Sequence, residues 1–253
     1  MSNHLQTLFT GRQLIELLEI DSTNNYSKEL LSQNKPSEGT VIVAHKQTHG
    51  RGQPGNQWQA EAGKNISLSV IFYPTFLSAD KQFFLNMAVS LGIKDFCESI
   101  LNDEIKIKWP NDIFYLDKKI GGVLIENTVS GSNLQSSIIG IGLNINQTKF
   151  SNDLPNASSF AQIANIEFSI PELVNSLCNY LEKYYLQLRS LHFNFLDKAY
   201  TTSLFRYNHT SYFKKGNDLF KGEIMGVTKE GKLIIEANGK EFKFGLKEVE
   251  FVI

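Results

Sequence analysis

Two short stretches hold most of the side chains in this sequence that could do chemistry. The first is Gln47-Thr48-His49-Gly50-Arg51-Gly52-Gln53-Pro54-Gly55-Asn56-Gln57-Trp58, which follows the apolar run Thr40-Val41-Ile42-Val43-Ala44. Its glycines let the backbone take positive φ and come close to a ligand. An arginine between two of them adds a forked, permanently charged donor, a combination suited to a phosphate or a carboxylate. The second is Lys108-Trp109-Pro110-Asn111-Asp112, with Lys119-Ile120-Gly121-Gly122 close behind. Trp109 beside Pro110 offers a flat wall, and Asn111 and Asp112 offer oxygens. Oxygen donors of this kind suit Mg²⁺, which commonly takes one or two carboxylates plus substrate phosphates.

The run Gly50 to Gly55 also spells G-x-G-x-x-G, but a dinucleotide site needs a helix to open there and an acidic residue after the next strand. Asn56 to Asn65 has no helical apolar spacing. A kinase loop would need valine where Gln57 stands.

These groups must be held by elements, and the periodicity supplies them. Gln13–Ile20 reads as a strand or a short helix. Asp21-Ser22-Thr23-Asn24 then offers caps for a helix through Tyr26, Leu30 and Leu31. Thr40–Ala44 and Asn65–Phe72 read as strands, and Asp80–Leu101 as a long helix. Ile105–Asp112 is a strand stopped by proline, and Ile113–Tyr115 with Lys119–Thr128 a hairpin. Leu134–Ile145 is a strand whose Gly140 and Gly142 mark a bulge or the close approach of something else. Helices are predicted over 158–165, 171–189 and 193–205. From His209 onward short strands (219–227, 232–236, 241–244) alternate with turns such as Asn238-Gly239, a hairpin signal, so the tail reads as a small β-barrel.

With 253 residues and 42% hydrophobic content the chain can bury a full core. A net charge of -1 gives no reason to expect nucleic acid as a partner. Cys97 and Cys178 sit in apolar helical patterns and read as buried reduced thiols. The five histidines have no ligand spacing, which argues against zinc. Residues 1–10 are too polar for a signal peptide and no long apolar span follows, so the expected location is the cytoplasm.

Ser22-Thr23-Asn24, Gln47 to Gly52, Lys108 to Asp112, Lys119 to Gly122 and Gly140-Ile141-Gly142-Leu143-Asn144, in this order and spacing, closely resemble the catalytic domain of the biotin protein ligases. The resemblance implies an α+β fold: a mixed, mainly antiparallel central sheet flanked by helices over residues 1–208 (class II synthetase-like). A small SH3-like β-barrel over 209–253 would follow. It implies that biotin and ATP form biotinyl-5′-AMP, and that biotin then passes to a lysine of a biotin carboxyl carrier domain. It implies that Ser22, Thr23, Asn24 and Gln47 bind the ureido head, with Gly50, Trp109, Gly122 and Gly140 around biotin. Lys119 and Arg51 would be catalytic and touch both ligands. Trp58, Asn111, Asp112 and Asn144 would bind the nucleotide, and Asp112 would hold Mg²⁺. A homodimer is compatible with this picture; a membrane or nucleic-acid partner is not part of it. A lipoate ligase or octanoyl transferase, and a non-catalytic biotin- or nucleotide-binding module, are the competing readings.

Two departures from the pattern matter. Only about twenty residues precede Ser22, too few for the winged helix-turn-helix of the family's repressor members, so no DNA binding is expected. Many members carry arginine at the position of Gln53, so this loop is less basic and should release the adenylate more readily. Gln53→Arg is expected to slow dissociation of biotinyl-5′-AMP by about tenfold, one charge-assisted bond's worth; dissociation measured in the two proteins checks it, and equal rates refute it.

Overall fold

The computed structural model of the chain describes residues 6–53 and 55–252. Met1–Leu5, Pro54 and Ile253 lie outside the described residues, and with them the start of the polar N-terminal stretch and the loop proline.

Seven strands form the main sheet in the order β1-β2-β3-β7-β6-β5-β4. β1 (Leu14–Ile20) runs parallel to β2 (Thr40–Gln47); every other neighbour is antiparallel. A parallel pair needs a crossover, and α1 (Thr23–Gln33) supplies it. The strand alternative for Gln13–Ile20 is therefore the one adopted. β3 (Ile66–Phe72) and β7 (Asn133–Leu143) are central, and every residue of β3 is buried. β5 (Asp112–Tyr115) and β6 (Lys118–Ser130) form the expected hairpin. The strand expected over Ile105–Asp112 is broken: β4 (Ile105–Lys108) stops before the Trp109–Asn111 turn, and Asp112 opens β5, which folds back on β4 as a second hairpin.

One face of the sheet is covered by α2 (Phe83–Leu101) and α4 (Ile170–Arg189). The expected long helix from Asp80 begins instead with a 3₁₀ turn at Ala79–Lys81, so α2 starts three residues later. α3 shrinks to Phe160–Ala164, and α5 spans Phe193–Thr202. Pro171 falls in the first turn of α4, where its missing N–H costs nothing. In β3, Leu68, Val70 and Phe72 join the core with Leu85, Ile93, Leu177 and Leu181, while the intervening Ser67 and Ser69 belong to the face on which α1 lies.

The segment after α5 lies along the sheet's outer strand: Ile107 N–H donates to Ser203 O and Phe205 N–H to Ile107 O, both at 2.9 Å. That pairing covers an edge that would otherwise template foreign strands. A second, five-stranded antiparallel sheet follows, ordered β11-β10-β9-β8-β12. It contains β8 (Ser211–Lys215) and the two-residue β12 (Glu250–Phe251) besides the three expected strands β9 (Asp218–Val227), β10 (Leu233–Ala237) and β11 (Lys240–Phe244). Both additions are too polar or too short to carry a period-two signal.

Glu182 on α4 is buried, and its carboxylate accepts the backbone N–H groups of Leu8, Phe9 and Thr10 at 2.5, 2.9 and 2.8 Å. It ties the segment before β1 onto the helical layer. Glu182→Ala leaves these donors short of an acceptor and is expected to cost about 1–3 kcal/mol, read as a lower urea midpoint.

Candidate active site

On the α1 face of the main sheet, strand register lines up a row of small residues. Ser67 of β3 pairs with Gly142 of β7, Gly142 with Gly122 of β6, and Gly122 with Asp112 of β5. The row makes a low floor, and a cleft lies above it. Its lining includes Ser22, Thr23, Asn24, Gln47, Arg51, Trp58, Leu68, Asn111, Asp112, Lys119, Gly122, Gly140 and Gly142. Gly140 and Gly142 are fixed by close approach: a Cβ on Gly140 would stand 2.2 Å from Asn24 Oδ1, and one on Gly142 2.3 Å from the Trp58 ring. What comes close to β7 is thus the rest of the chain, packed to shape the cleft.

The inner end is built from the start of α1. Ser22 is its N-cap, but the Ser22 side chain makes no capping bond; the Thr23 N–H donates instead to Gln47 Oε1 at 2.8 Å. Gln47, at the end of β2, is thereby held against the helix terminus, where free N–H groups gather. The Ser69 hydroxyl lies 2.7 Å from both Thr23 Oγ1 and Asn24 Oδ1. Donors and acceptors therefore alternate along a recess floored by main chain, the composition expected of a site that orients a small polar head group.

Residues 50–58 form a hairpin excursion: Trp58 N–H donates to Gly50 O at 2.9 Å, and Arg51 bridges Gln57. This closure seats the Trp58 indole on Gly142. Its Nε1–H is buried and has no partner among the described residues, so a donor stands ready for a ligand acceptor. Arg51 reaches across the mouth to Glu126 on β6, with Nη1 and Nη2 donating at 2.8 and 2.9 Å to the two carboxylate oxygens. A larger outer chamber shares Arg51, Gly52, Asn56, Pro110 and Asn111 with the cleft and extends to Gln82, Asn86, Glu126, Asn127 and Glu230.

At the other side Lys119 Nζ lies 2.6 Å from Asp112 Oδ1. A bulge in the β5–β6 register brings these side chains to one face. The Lys119 backbone is clamped by the following loop, its N–H donating to Asn156 O at 2.7 Å and its carbonyl accepting from Ser158 N–H at 2.9 Å. Pro110 O accepts from Asn86 Nδ2 at 2.8 Å and Tyr200 Oη at 2.6 Å, which fixes Asn111 and Asp112 from below. The Asn111 amide is spent on Val123 O. Burial holds the Lys108 ammonium below the ordinary lysine range; Asp112 opposes that, and Lys119 and Arg206 reinforce it.

Three residues named from the sequence do not line the cleft. Trp109 is buried in the core, and its Nε1–H donates to Gly231 O at 2.9 Å in the turn between β9 and β10; the flat wall of the cleft is Trp58. Asn144 is buried, its side chain donating to Ser158 O at 3.0 Å. Gly50 sits at the base of the hairpin, where a Cβ would meet the Trp58 carbonyl at 2.3 Å. Conversely, Ser69 and Glu126 join the polar network unannounced. The alternation of Ser67 and Ser69 with apolar residues in β3 was the available signal for the first.

Among the described residues no group of three or more His, Cys, Asp and Glu side chains is arranged to hold a metal, and no helix is long and apolar enough to cross a membrane. Cys97 and Cys178 are free and buried, and burial pushes the Cys178 thiol up to about 12.

Residues 17–144 match the model of the biotin/lipoate A/B protein ligase family. The chain is 30% identical over 239 residues to the bifunctional ligase/repressor BirA of Bacillus subtilis, covering 92% of this chain and 72% of that protein. It is 28% identical over 182 residues to the biotin–[acetyl-CoA-carboxylase] ligase of Mycobacterium tuberculosis, covering 71% and 66%. The biotin protein ligase of Aquifex aeolicus in complex with biotin and ATP has the same fold, with a TM-score of 0.78 at 23% identity over 95% of this chain and 100% of that one. The chain belongs to the biotin/lipoate A/B protein ligase family.

Gly142→Ala should lift Trp58 off β7 without unfolding the sheet. The expected outcome is a red-shifted tryptophan emission and ligand binding weaker by about 1–3 kcal/mol, the worth of one aromatic stacking contact. Unshifted emission would mean that the indole does not depend on the glycine.

Proposed function

We propose that this protein is a biotin protein ligase: it activates biotin with ATP to biotinyl-5′-AMP and transfers biotin to a lysine of a biotin carboxyl carrier domain. The observation that carries this reading is a single cleft in which a donor-and-acceptor recess at the start of α1 opens toward two cations, Lys119 and Arg51. Relatives named as biotin ligases along most of the chain support it.

In the first step a biotin carboxylate oxygen bonds to the α-phosphorus of ATP and pyrophosphate leaves. In the second, the carrier lysine amine attacks the acyl carbon and AMP leaves with the bonding pair. Two anions must meet, so positioning and fixed positive charge are the main requirements. Lys119 would stand between the carboxylate and the α-phosphate, and Arg51 would hold the phosphates. Ser22, Thr23, Asn24 and Gln47 would bind the ureido ring above Gly122 and Gly140. Trp58 would pack on the nucleotide.

Mg²⁺ would add positive charge at the phosphates. Asp112 fits such a role as a lone carboxylate working with substrate oxygens, because its Oδ2 has no protein partner among the described residues while Oδ1 is paired with Lys119. On this reading the outer chamber admits the carrier lysine, residues 1–208 and 209–253 form the two domains, and the protein works in the cytoplasm. Association into a homodimer is compatible with it.

The test is exchange of labelled pyrophosphate into ATP with biotin, lipoate and octanoate in parallel. Biotin alone should support exchange; exchange with lipoate alone would reassign the substrate. Lys119→Ala is expected to fold and to lose about 10²–10³ in exchange rate, as for removal of one charge-stabilising donor. Near-normal turnover would remove Lys119 from the chemistry.

A further inference from the structure

The Arg51 guanidinium carries five N–H donors, and three are committed. Nη1 donates to Asn25 Oδ1 at 2.9 Å and to Glu126 Oε2 at 2.8 Å, and Nη2 donates to Glu126 Oε1 at 2.9 Å. The two left over among the described residues, Nε–H and the second Nη2–H, share one edge of the planar group. That edge is the side-on fork that takes a carboxylate or phosphate bidentately. Glu126 is itself fixed, because its Oε2 also accepts Asn24 Nδ2 at 2.8 Å, and Asn24 is bonded to Ser69. Asn25 in turn donates to Asp21 Oδ2.

An ion pair as exposed as Arg51–Glu126, at 38% and 30% of the side-chain surfaces, adds little to stability. Its significance is geometric. Arg51 stands on a glycine-rich hairpin and would otherwise sample many rotamers, losing that freedom only when an anion arrives.

We propose that Glu126 is a positioning residue: with Asn25 it holds the end of the Arg51 guanidinium so that its Nε/Nη2 edge meets the phosphates of the nucleotide. This rests on the ligase reading for the identity of the anion. Glu126 holds Arg51 from the wall of the outer chamber and through Asn24 joins the guanidinium to the recess at the start of α1. One hydrogen-bonded chain, Gln47–Thr23–Ser69–Asn24–Glu126–Arg51, therefore links the two ends of the cleft.

The test is a double-mutant cycle of Glu126→Gln and Arg51→Ala in pyrophosphate exchange, with binding of inorganic pyrophosphate measured by calorimetry. Gln keeps an acceptor for Asn24 but turns a donor toward the guanidinium. Glu126→Gln alone should lower kcat/KM for ATP about tenfold or more, mainly through KM, and weaken pyrophosphate binding by about tenfold. In the Arg51→Ala background the same change should have less than about a twofold effect, since a residue acting through another adds nothing once that other is gone. An undiminished effect in that background, or unaltered binding by Glu126→Gln, overturns the proposal. If Glu126→Gln does not fold, Asn25→Ala, which removes the other Arg51 acceptor, takes its place in the cycle. A wild-type chain that binds pyrophosphate but exchanges with no acid defeats the ligase reading, and the binding comparison still decides the role of Glu126.

Discussion

The amide of Asn24 lies where a side chain of residue 140 would begin, and the indole of Trp58 lies just as close over residue 142. This contact of α1 and the arginine hairpin with a bare stretch of β7 is the constraint on which the cleft depends. A β-carbon at either position pushes out an element that carries functional groups. Because the floor is main chain, it cannot change rotamer, and the distance between the recess and the two cations is fixed by strand geometry. Sites mounted on strands are held more closely than sites on loops, and here even the loop is closed at its base by the Gly50–Trp58 bond.

Charge is arranged with the same economy. Lys119 and Arg51 each stand beside one carboxylate, Asp112 and Glu126 respectively. Neither cation is left to collapse onto the surface, and each keeps donors to spare. The carboxylates differ in what else they do: Asp112 has an oxygen turned away from its lysine, whereas both oxygens of Glu126 are bonded to neighbours. A preset field of this kind needs little reorganisation when an anion arrives, which is the economical way to stabilise growing phosphate charge.

Much of this was legible in the sequence, for reasons that differ by residue. The glycines of β7 announced a bulge or a close approach, of which the structure has the second, and Ser22, Thr23, Asn24, Gln47, Arg51, Asp112 and Lys119 do come together around one cleft. Trp109 went astray because a tryptophan next to proline is flat in any setting; only the tertiary fold decides which way the ring turns, and here it turns to Gly231. Asn144 follows a glycine pair that faces the cleft, but it is buried and its amide is taken up by the carbonyl of Ser158. Glu126 was hidden because its importance comes from a partner 75 residues away, which no local pattern encodes. β8 and β12 escaped because tail strands this polar or this short leave no periodic trace.

The bond from Trp109 to the carbonyl of Gly231 bears on how the molecule opens as well as on how it is built. Residues 109 to 112 connect a buried ring, anchored on the turn of the tail hairpin, to the carboxylate of the cleft in three steps of chain. Local opening of the tail hairpin therefore removes one support of the 109–112 turn, while Asn86 and Tyr200 still hold Pro110 O. Native-state hydrogen exchange divides proteins into cooperative units that need not follow sheet boundaries. In this protein the Trp109–Gly231 bond crosses the boundary between the two sheets and links the β4–β5 turn to the tail hairpin. The acidic side of the cleft thus touches both sheets, through the pairing of β5 in one and the Trp109 ring against the turn of the other.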